Sequence, residues 1–279
     1  MPEDHMGLCS MTGKQNARPQ CVPPAVSKPE ANVWQQVSEL PTLDSDTGER
    51  SVSMPLPVVQ GLNAIVSIFG SVRASEVRQQ AGRTHCNTGE ILPLGVAAVI
   101  DAFGGLGTDN VFLDVGAGIG NVLAQVALTT NARACLSVEI RQDLCEMIYR
   151  CFQRHTSQYP QLITVNLRCM DIRDAAMSSQ LPTHDATAIF ADTFPFEESA
   201  KLVIARELGA LAKARAVAST CPRHRASCSQ PFCQTWKLKG YVMVSCSWKA
   251  ALHPVYLYHC IQLLTQHFIV VQHKVVFHR

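Results

Sequence analysis

Between Val111 and Asn121 the chain carries the residue types that hold a nucleoside. Val111, Phe112, Leu113, Asp114 and Val115 read as a buried strand, and Gly116, Ala117, Gly118, Ile119 and Gly120 as a glycine turn. Asn121 opens a helical pattern that Val122, Leu123, Val126 and Ala127 continue. A strand ending in a glycine turn under a helix N-terminus is a nucleotide-binding start. The dinucleotide fingerprint needs a further glycine at position 121, where Asn121 stands, so the loop suits a ligand without a pyrophosphate. Alternating glycines let the backbone lie flat against a nucleoside and an amino-acid tail. Asp114 adds a carboxylate near the cationic end of such a ligand.

Three more strand ends carry matching chemistry. Glu139 closes the next strand, Ala134–Glu139, where an acid can accept hydrogen bonds from both ribose hydroxyls; its plain alternative is a solvated cap of the following helix. Asp171 and Ile172 follow a third strand over 162–169. There a carboxylate takes an exocyclic amine and an apolar neighbour covers the ring; Asp171 also suits a helix N-cap. Ala191, Asp192, Thr193, Phe194, Pro195 and Phe196 follow a fourth strand over 186–191, where a substrate's reacting group should arrive. Read together in this order, they make the S-adenosylmethionine site of a class I methyltransferase. The bland reading of the loop is a mere strand-to-helix link, and that of the two phenylalanines is ordinary core.

These residues need a sheet to position them. The apolar positions Leu144, Met147, Ile148, Cys151 and Phe152 mark a helix. Leu202, Val203, Ile204 and Leu208 mark another, followed by a strand near 216–218. Tyr241–Trp248 and Val255–His259 alternate as an antiparallel pair. The pattern is α/β: a seven-stranded doubly wound sheet of class I methyltransferase type with a terminal antiparallel hairpin, preceded by a small helical N-terminal layer. Residues 1–52, rich in Pro, Gln, Ser and Asp, read as a disordered leader. Residues 53–87 form the helical segment, with Val58, Leu62, Ile65, Val66, Ile68 and Phe69 as its apolar stripe. Residues 88–279 form the catalytic domain, starting with a helix over 92–103. Within it, 268–271 and 275–277 suggest one further strand.

Bulk properties narrow the class. The 279 residues are 47% hydrophobic, enough for a sizeable core, and the 24 Lys and Arg barely exceed the 22 Asp and Glu, so net charge does not argue for nucleic acid. No apolar run reaches the roughly 18 residues of a spanning helix, and no signal peptide is seen. The 12 cysteines then read as free thiols in a reducing compartment. Cys221, His224, Cys228 and Cys233 lack the paired spacing of a zinc site, so no metal is expected. Arg215, Arg223, His224, Arg225, Lys237 and Lys239 are the local candidate for weak DNA contacts.

The chain resembles the histone H3 lysine-79 methyltransferases of the disruptor-of-telomeric-silencing type, from about residue 55 to 260. Thr88, Gly89, Glu90 and Ile91 resemble that family's aromatic-Gly-Glu-Thr loop over the cofactor. Phe112 to Asn121 resembles its glycine loop, and Phe190 to Phe196 its Phe-x-Asn-Asn-Phe-x-Phe segment. Ser247-Trp248 and Pro254-Val255-Tyr256 resemble its hairpin. The resemblance implies S-adenosylmethionine as cofactor, a lysine in the nucleosome as substrate, nuclear residence, and a channel lined by Phe194, Phe196, Trp248 and Tyr256. Three departures stand out: Thr88 replaces an aromatic, Asp192 replaces Asn, and the family's strongly basic DNA-gripping segment is not evident.

An apolar channel lowers the pKa of a lysine amine, about 10.4 in water, toward the neutral nucleophile, so no dedicated general base is needed. Aromatic faces also hold cationic groups. Asp192 would favour the ammonium, or accept its departing proton, or orient it. Rival readings are an amino-methyltransferase acting on adenine or glutamine, another lysine or small-molecule methyltransferase, and a silent binding module on the same fold.

Overall fold

The computed structural model describes residues 54–77, 89–193, 195–222 and 231–261. The leader over 1–52, Thr88, Phe194, the 223–225 basic cluster, Cys228 and the strand suggested beyond 261 lie outside them. The described residues all fall within the unit Thr47–Arg279.

Among the described residues, seven strands form one sheet: β1 Val111–Val115, β2 Ala134–Glu139, β3 Val165–Cys169, β4 Ala188–Ala191, β5 Ala216–Ser219, β6 Trp236–Cys246 and β7 Lys249–Cys260. Their spatial order is β3-β2-β1-β4-β5-β7-β6. The first five are parallel, and β7 runs antiparallel between β5 and β6. The fold is therefore the α/β doubly wound sheet of class I methyltransferase type, closed by an antiparallel hairpin. Strand order reverses between β1 and β4, and that is where an open parallel sheet leaves a crevice for ligands.

The central strands are apolar because both faces are covered. Every residue of β1, β2, β4 and β5 is buried. On one face lie α1 Val58–Phe69, α3 Pro93–Ala102, α4 Asn121–Thr129 and α5 Gln142–His155, preceded in part by the short α2 Ala74–Val77. On the other lie α6 Glu198–Ala210 and α7 Pro231–Thr235. Phe69 and Phe152 meet edge to face at 6.3 Å and tie α1 to α5. No helix among the described residues is long and apolar enough to cross a membrane.

Several boundaries differ from the sequence reading. The third strand starts at Val165, because Pro160–Thr164 winds into a 3-10 turn that buries Leu162. The fourth starts at Ala188, after a 3-10 turn over Thr183–Asp185. Both hairpin strands are longer than their alternating cores, which leaves Trp248 in the tight turn between them. In α1 the buried face is Gly61, Ala64, Ile65, Ile68 and Phe69; Val58 and Val66 face outward. Leu202 of α6 is likewise exposed, and Ala200, Ile204, Ala205 and Leu208 make its buried face.

Trp236 anchors the hairpin to the second helical layer. It is fully buried, and its Nε1 donates to the Leu208 carbonyl at 3.0 Å. Phe232 stacks on it and meets Tyr258 edge to face. Trp236→Phe keeps most of the apolar body but orphans that carbonyl near the end of α6. We expect a loss of about 1–3 kcal/mol in urea unfolding. A change below about 0.5 kcal/mol, the size of an ordinary surface substitution, would contradict this anchoring role.

Candidate functional site

The parallel register brings three strand tips level. Val115 pairs with Val138 on one side and Ala191 on the other, and the Gly116 N–H donates to the Val138 carbonyl at 2.8 Å. The backbone then turns through positive φ at Gly116, Gly118 and Gly120 (84°, 57° and 82°), a region costly for side-chain-bearing residues. Gly116 is needed for a second reason: a Cβ there would lie 2.6 Å from the Phe196 ring. Phe196, from the segment after β4, thus packs directly on the glycine turn. Ala117 and Ile119 turn inward, while Phe112, Leu113 and Val115 are core.

Asp114 is the exceptional group. It is 1% exposed, and neither carboxylate oxygen has a hydrogen-bond partner. Burial raises its pKa well above the ordinary range, and the nearby Asp192 and Glu139 carboxylates raise it further. The adjacent β2 residue, Ser137, is also buried with an unpartnered hydroxyl. Buried polar groups are normally satisfied, so an orphan acid flanked by two others is an arrangement waiting for a cation or donors. Among the described residues no group of three His, Cys, Asp or Glu is placed to hold a metal ion.

Glu139 braces the loop. Its Oε2 accepts from the Gly118 N–H and its Oε1 from the Arg141 N–H, both at 2.9 Å. Burial pushes its pKa up, while those two N–H groups and the Arg141 charge pull it down. Asp171 is engaged differently: Arg173 Nη2 pairs with it at 2.5 Å, and the Arg173 N–H donates to Oδ1 at 2.8 Å. That bonding holds its carboxyl below the usual range. Ile172 turns into the core on the α6 side. An adenine edge reaching Asp171 must therefore share it with Arg173, and Ile172 is not laid open to cover a ring.

A second loop is pinned over the first. The Glu90 N–H donates to Ser247 Oγ at 2.9 Å, and the Ser247 N–H returns to the Glu90 carbonyl at 2.9 Å. Ile91 bridges to Cys246. Asn121, at the first turn of α4, donates from Nδ2 to the Ile91 carbonyl at 2.8 Å. Trp248 lies against Gly89 so closely that a Cβ there would come within 2.4 Å of the indole. Gly89–Ile91 is therefore clamped between the hairpin turn and the helix that follows the glycine loop.

Among the described residues, Phe196, Tyr256 and Trp248 do not pack as one cluster. Phe196 and Tyr256 pack against the core on the α6 side, and Trp248 against the core on the α3 side. Alternation along β7 explains this: Tyr256 shares a face with Tyr258, while His253, Val255 and Leu257 point the other way. Arg215 also departs from its expected role, because its guanidinium donates to the carbonyls of Phe103 and Gly105 and to Asn110 Oδ1. It holds the loop before β1 together rather than facing a phosphate.

Two residues missed in the sequence complete the site. Thr220 Oγ1 donates to Asp192 Oδ1 at 2.7 Å, and the Thr220 carbonyl lies 3.1 Å from His253 Nε2. His253 is buried and meets the Trp248 ring edge to face at 5.7 Å. The signal for Thr220 was available: β4 and β5 are parallel with Ala191 opposite Ser219, so the residues just beyond them lie side by side. Thr193, named in the segment after the fourth strand, is fully buried with an unpartnered hydroxyl.

A family model described as "Histone methylation protein DOT1" matches residues 70–221, more than half of the chain. No curated protein matches the sequence at a significant level. Among solved structures, a Pyrococcus horikoshii protein assigned provisionally as an RNA methyltransferase is 9% identical with a TM-score of 0.47, covering 75% of this chain and 100% of its own. TrmN from Thermus thermophilus is 12% identical with a TM-score of 0.43, covering 60% of this chain and 48% of its own. A SAM-dependent O-methyltransferase from Thermotoga maritima is 12% identical with a TM-score of 0.42, covering 63% and 68%. Likeness this distant adds nothing to the strand order and register.

Asp114 yields a stability prediction. A carboxyl whose pKa is higher in the folded state holds its proton more firmly there, so stability falls as pH rises from the unfolded value, about 3.9, through the folded one. Asp114→Asn removes that loss. Chemical unfolding across pH should show the variant, without ligand, more stable than the parent by about 1–3 kcal/mol once Asp114 is ionised. The difference should shrink toward acid pH. A difference that does not change with pH would contradict the assignment.

Proposed function

Because the chain belongs to the DOT1 histone methylation family, we propose that it is an S-adenosylmethionine-dependent protein-lysine N-methyltransferase of the nucleus, acting on histone H3 lysine-79 in nucleosomes. The observation that carries the reading is Asp114, a buried carboxylate without a partner at the tip of β1, under a turn of three positive-φ glycines. A sulfonium ligand with an amino-acid tail brings both cationic charge and N–H donors, which is what this acid lacks. When bound, S-adenosylmethionine supplies an electrophilic methyl on a cationic sulfur.

The chain's own residues do the positioning. Asp114 would take the cationic tail, and Glu139, already on the Gly118 amide, would accept from the ribose. Phe196 on one side and Trp248 on the other would flank the reacting centre and keep water from it. Aligning nucleophile and methyl is the main catalytic task in such a displacement. A lysine amine must be neutral to attack, and apolar surroundings lower its pKa from about 10.4. Asp192 stands next to that position, with its rotation fixed by Thr220. There it would orient the amine through a carboxylate oxygen. With Arg215 engaged by backbone carbonyls, Lys237 and Lys239 on β6 are the other described cations of the set read for DNA contact, and their contribution would appear as salt-sensitive binding.

The test is transfer of labelled methyl from S-adenosylmethionine to nucleosomes, free histones and naked DNA, with the modified residue mapped. Label on lysine 79 of nucleosomal histone H3 is expected. Label on DNA, or on a small molecule alone, would favour the rival methyltransferases, and no uptake of the donor would leave a silent module. Asp192→Asn should keep activity, or raise it near neutral pH, because the amide oxygen can still accept from Thr220 while the charge that favours ammonium is gone. A loss of about a hundredfold in single-turnover rate, about 2.7 kcal/mol in barrier, would refute that role.

A further inference from the structure

Two cysteines flank the strand tip that carries Glu139. Cys169, the last residue of β3, pairs in register with Glu139 of β2. It shares the face of β3 on which Val165 and Leu167 pack against the α5 layer. Cys145, in the first turns of α5, is buried, and its Sγ lies 3.7 Å from the Glu139 carbonyl oxygen. The same carbonyl accepts from the N–H of Met170, the neighbour of Cys169, at 2.9 Å. One backbone oxygen thus places the Cys145 thiol beside the end of β3. Cys169 is exposed and Cys145 is buried, so a small oxidant reaches the pair from one side.

We propose that Cys145 and Cys169 form a peroxide-oxidisable dithiol that closes to a disulfide across the base of the Glu139 strand tip. The two thiols are not equivalent. The hydrogen bond from Cys145 lowers the pKa of Cys169, against an opposing effect of burial. The same bond, with burial and the neighbouring carboxylates, pushes Cys145 well up. Cys169 is the exposed thiol that peroxide reaches, so it attacks as the thiolate, and the buried Cys145 resolves. The Cys169 sulfur attacks one oxygen of hydrogen peroxide and the O–O bond breaks. The departing hydroxide takes a proton and leaves as water, and Cys169 becomes a sulfenic acid. Cys145 then attacks the Cys169 sulfur. The S–O bond breaks, the S–S bond forms, and the hydroxyl leaves with the Cys145 proton as a second water. Two thiols lose two electrons, and one peroxide gains them.

The link would join the start of α5 to the end of β3 at the residue whose carboxylate holds the Gly118 amide. Oxidation therefore acts on the glycine loop through Glu139. This consequence rests on the methyl-donor reading of that loop; the link itself does not.

The experiment uses the full chain. Native protein is treated with a small excess of hydrogen peroxide, alkylated before unfolding, and digested with trypsin without reductant. Cys145 falls in the peptide Gln142–Arg150 and Cys169 in Cys169–Arg173, each with one cysteine. The expected result is a cross-linked pair of these two peptides that dithiothreitol separates. In Cys145→Ser, Cys169 should instead advance to the sulfinic acid with no link. The oxidised parent should lose the rise in melting temperature given by S-adenosylmethionine, and dithiothreitol should restore it. Recovery of both peptides alkylated, or Cys169 linked to a different cysteine, would overturn the proposal. A mapped link in a protein that never responds to S-adenosylmethionine would keep the dithiol and remove the methyl-donor reading.

Discussion

The structure is organised around one unmet electrostatic demand. Asp114 stands at the tip of a strand buried on both faces, next to Asp192 and Glu139, with no donor on either oxygen. Charge of one sign concentrated away from water is unfavourable unless something pairs with it. Among the described residues none supplies that pairing to Asp114. Arg141, the buried arginine nearest in sequence, is directed to Asp143 and to the Val77 carbonyl instead. Such a deficit is characteristic of a binding site, where stability of the empty protein is given up for interaction with a ligand.

The surrounding elements keep that deficit in a fixed shape. Glu139 ties Gly118 to β2, and Phe196 fills the space over Gly116. The hairpin reaches back from the far edge of the sheet, and through Ser247 and Trp248 it secures Gly89–Ile91. Asn121 joins that segment to α4. Trp236 holds the other end of the hairpin to α6. The pattern explains why a hairpin remote in sequence accompanies the glycine loop: it closes the site from the side that the parallel strands leave open. The DOT1 family match ends at residue 221, so this closing hairpin lies beyond the matched residues.

Much of this was legible in the sequence, for physical reasons that can be named. Strands buried on both faces write themselves as apolar runs, so β1 and β2 were read with their observed limits, and glycines that must adopt positive φ mark the turn. The α5 stripe Leu144, Met147, Ile148, Cys151 and Phe152 was legible because that helix has one wet face. Strand starts were less legible, since Pro160–Thr164 and Thr183–Asp185 carry strand-like residues that wind into 3-10 turns. Side-chain pairing was least legible. Nothing local reveals that Arg215 serves the backbone before β1, or that Tyr256 faces away from the Trp248 side. Thr220 and His253 enter the site only once β4, β5 and β7 are set side by side.

The central claim is that a cationic methyl donor satisfies Asp114. Calorimetric titration of the protein with S-adenosylmethionine, repeated across pH and in buffers of different ionisation enthalpy, tests it most directly. A cation that pairs with Asp114 must drive its proton off. Affinity should therefore increase with pH over the range where Asp114 titrates in the free protein, with proton release seen as buffer-dependent heat. Binding that is indifferent to pH and buffer, or no binding at all, would contradict the account.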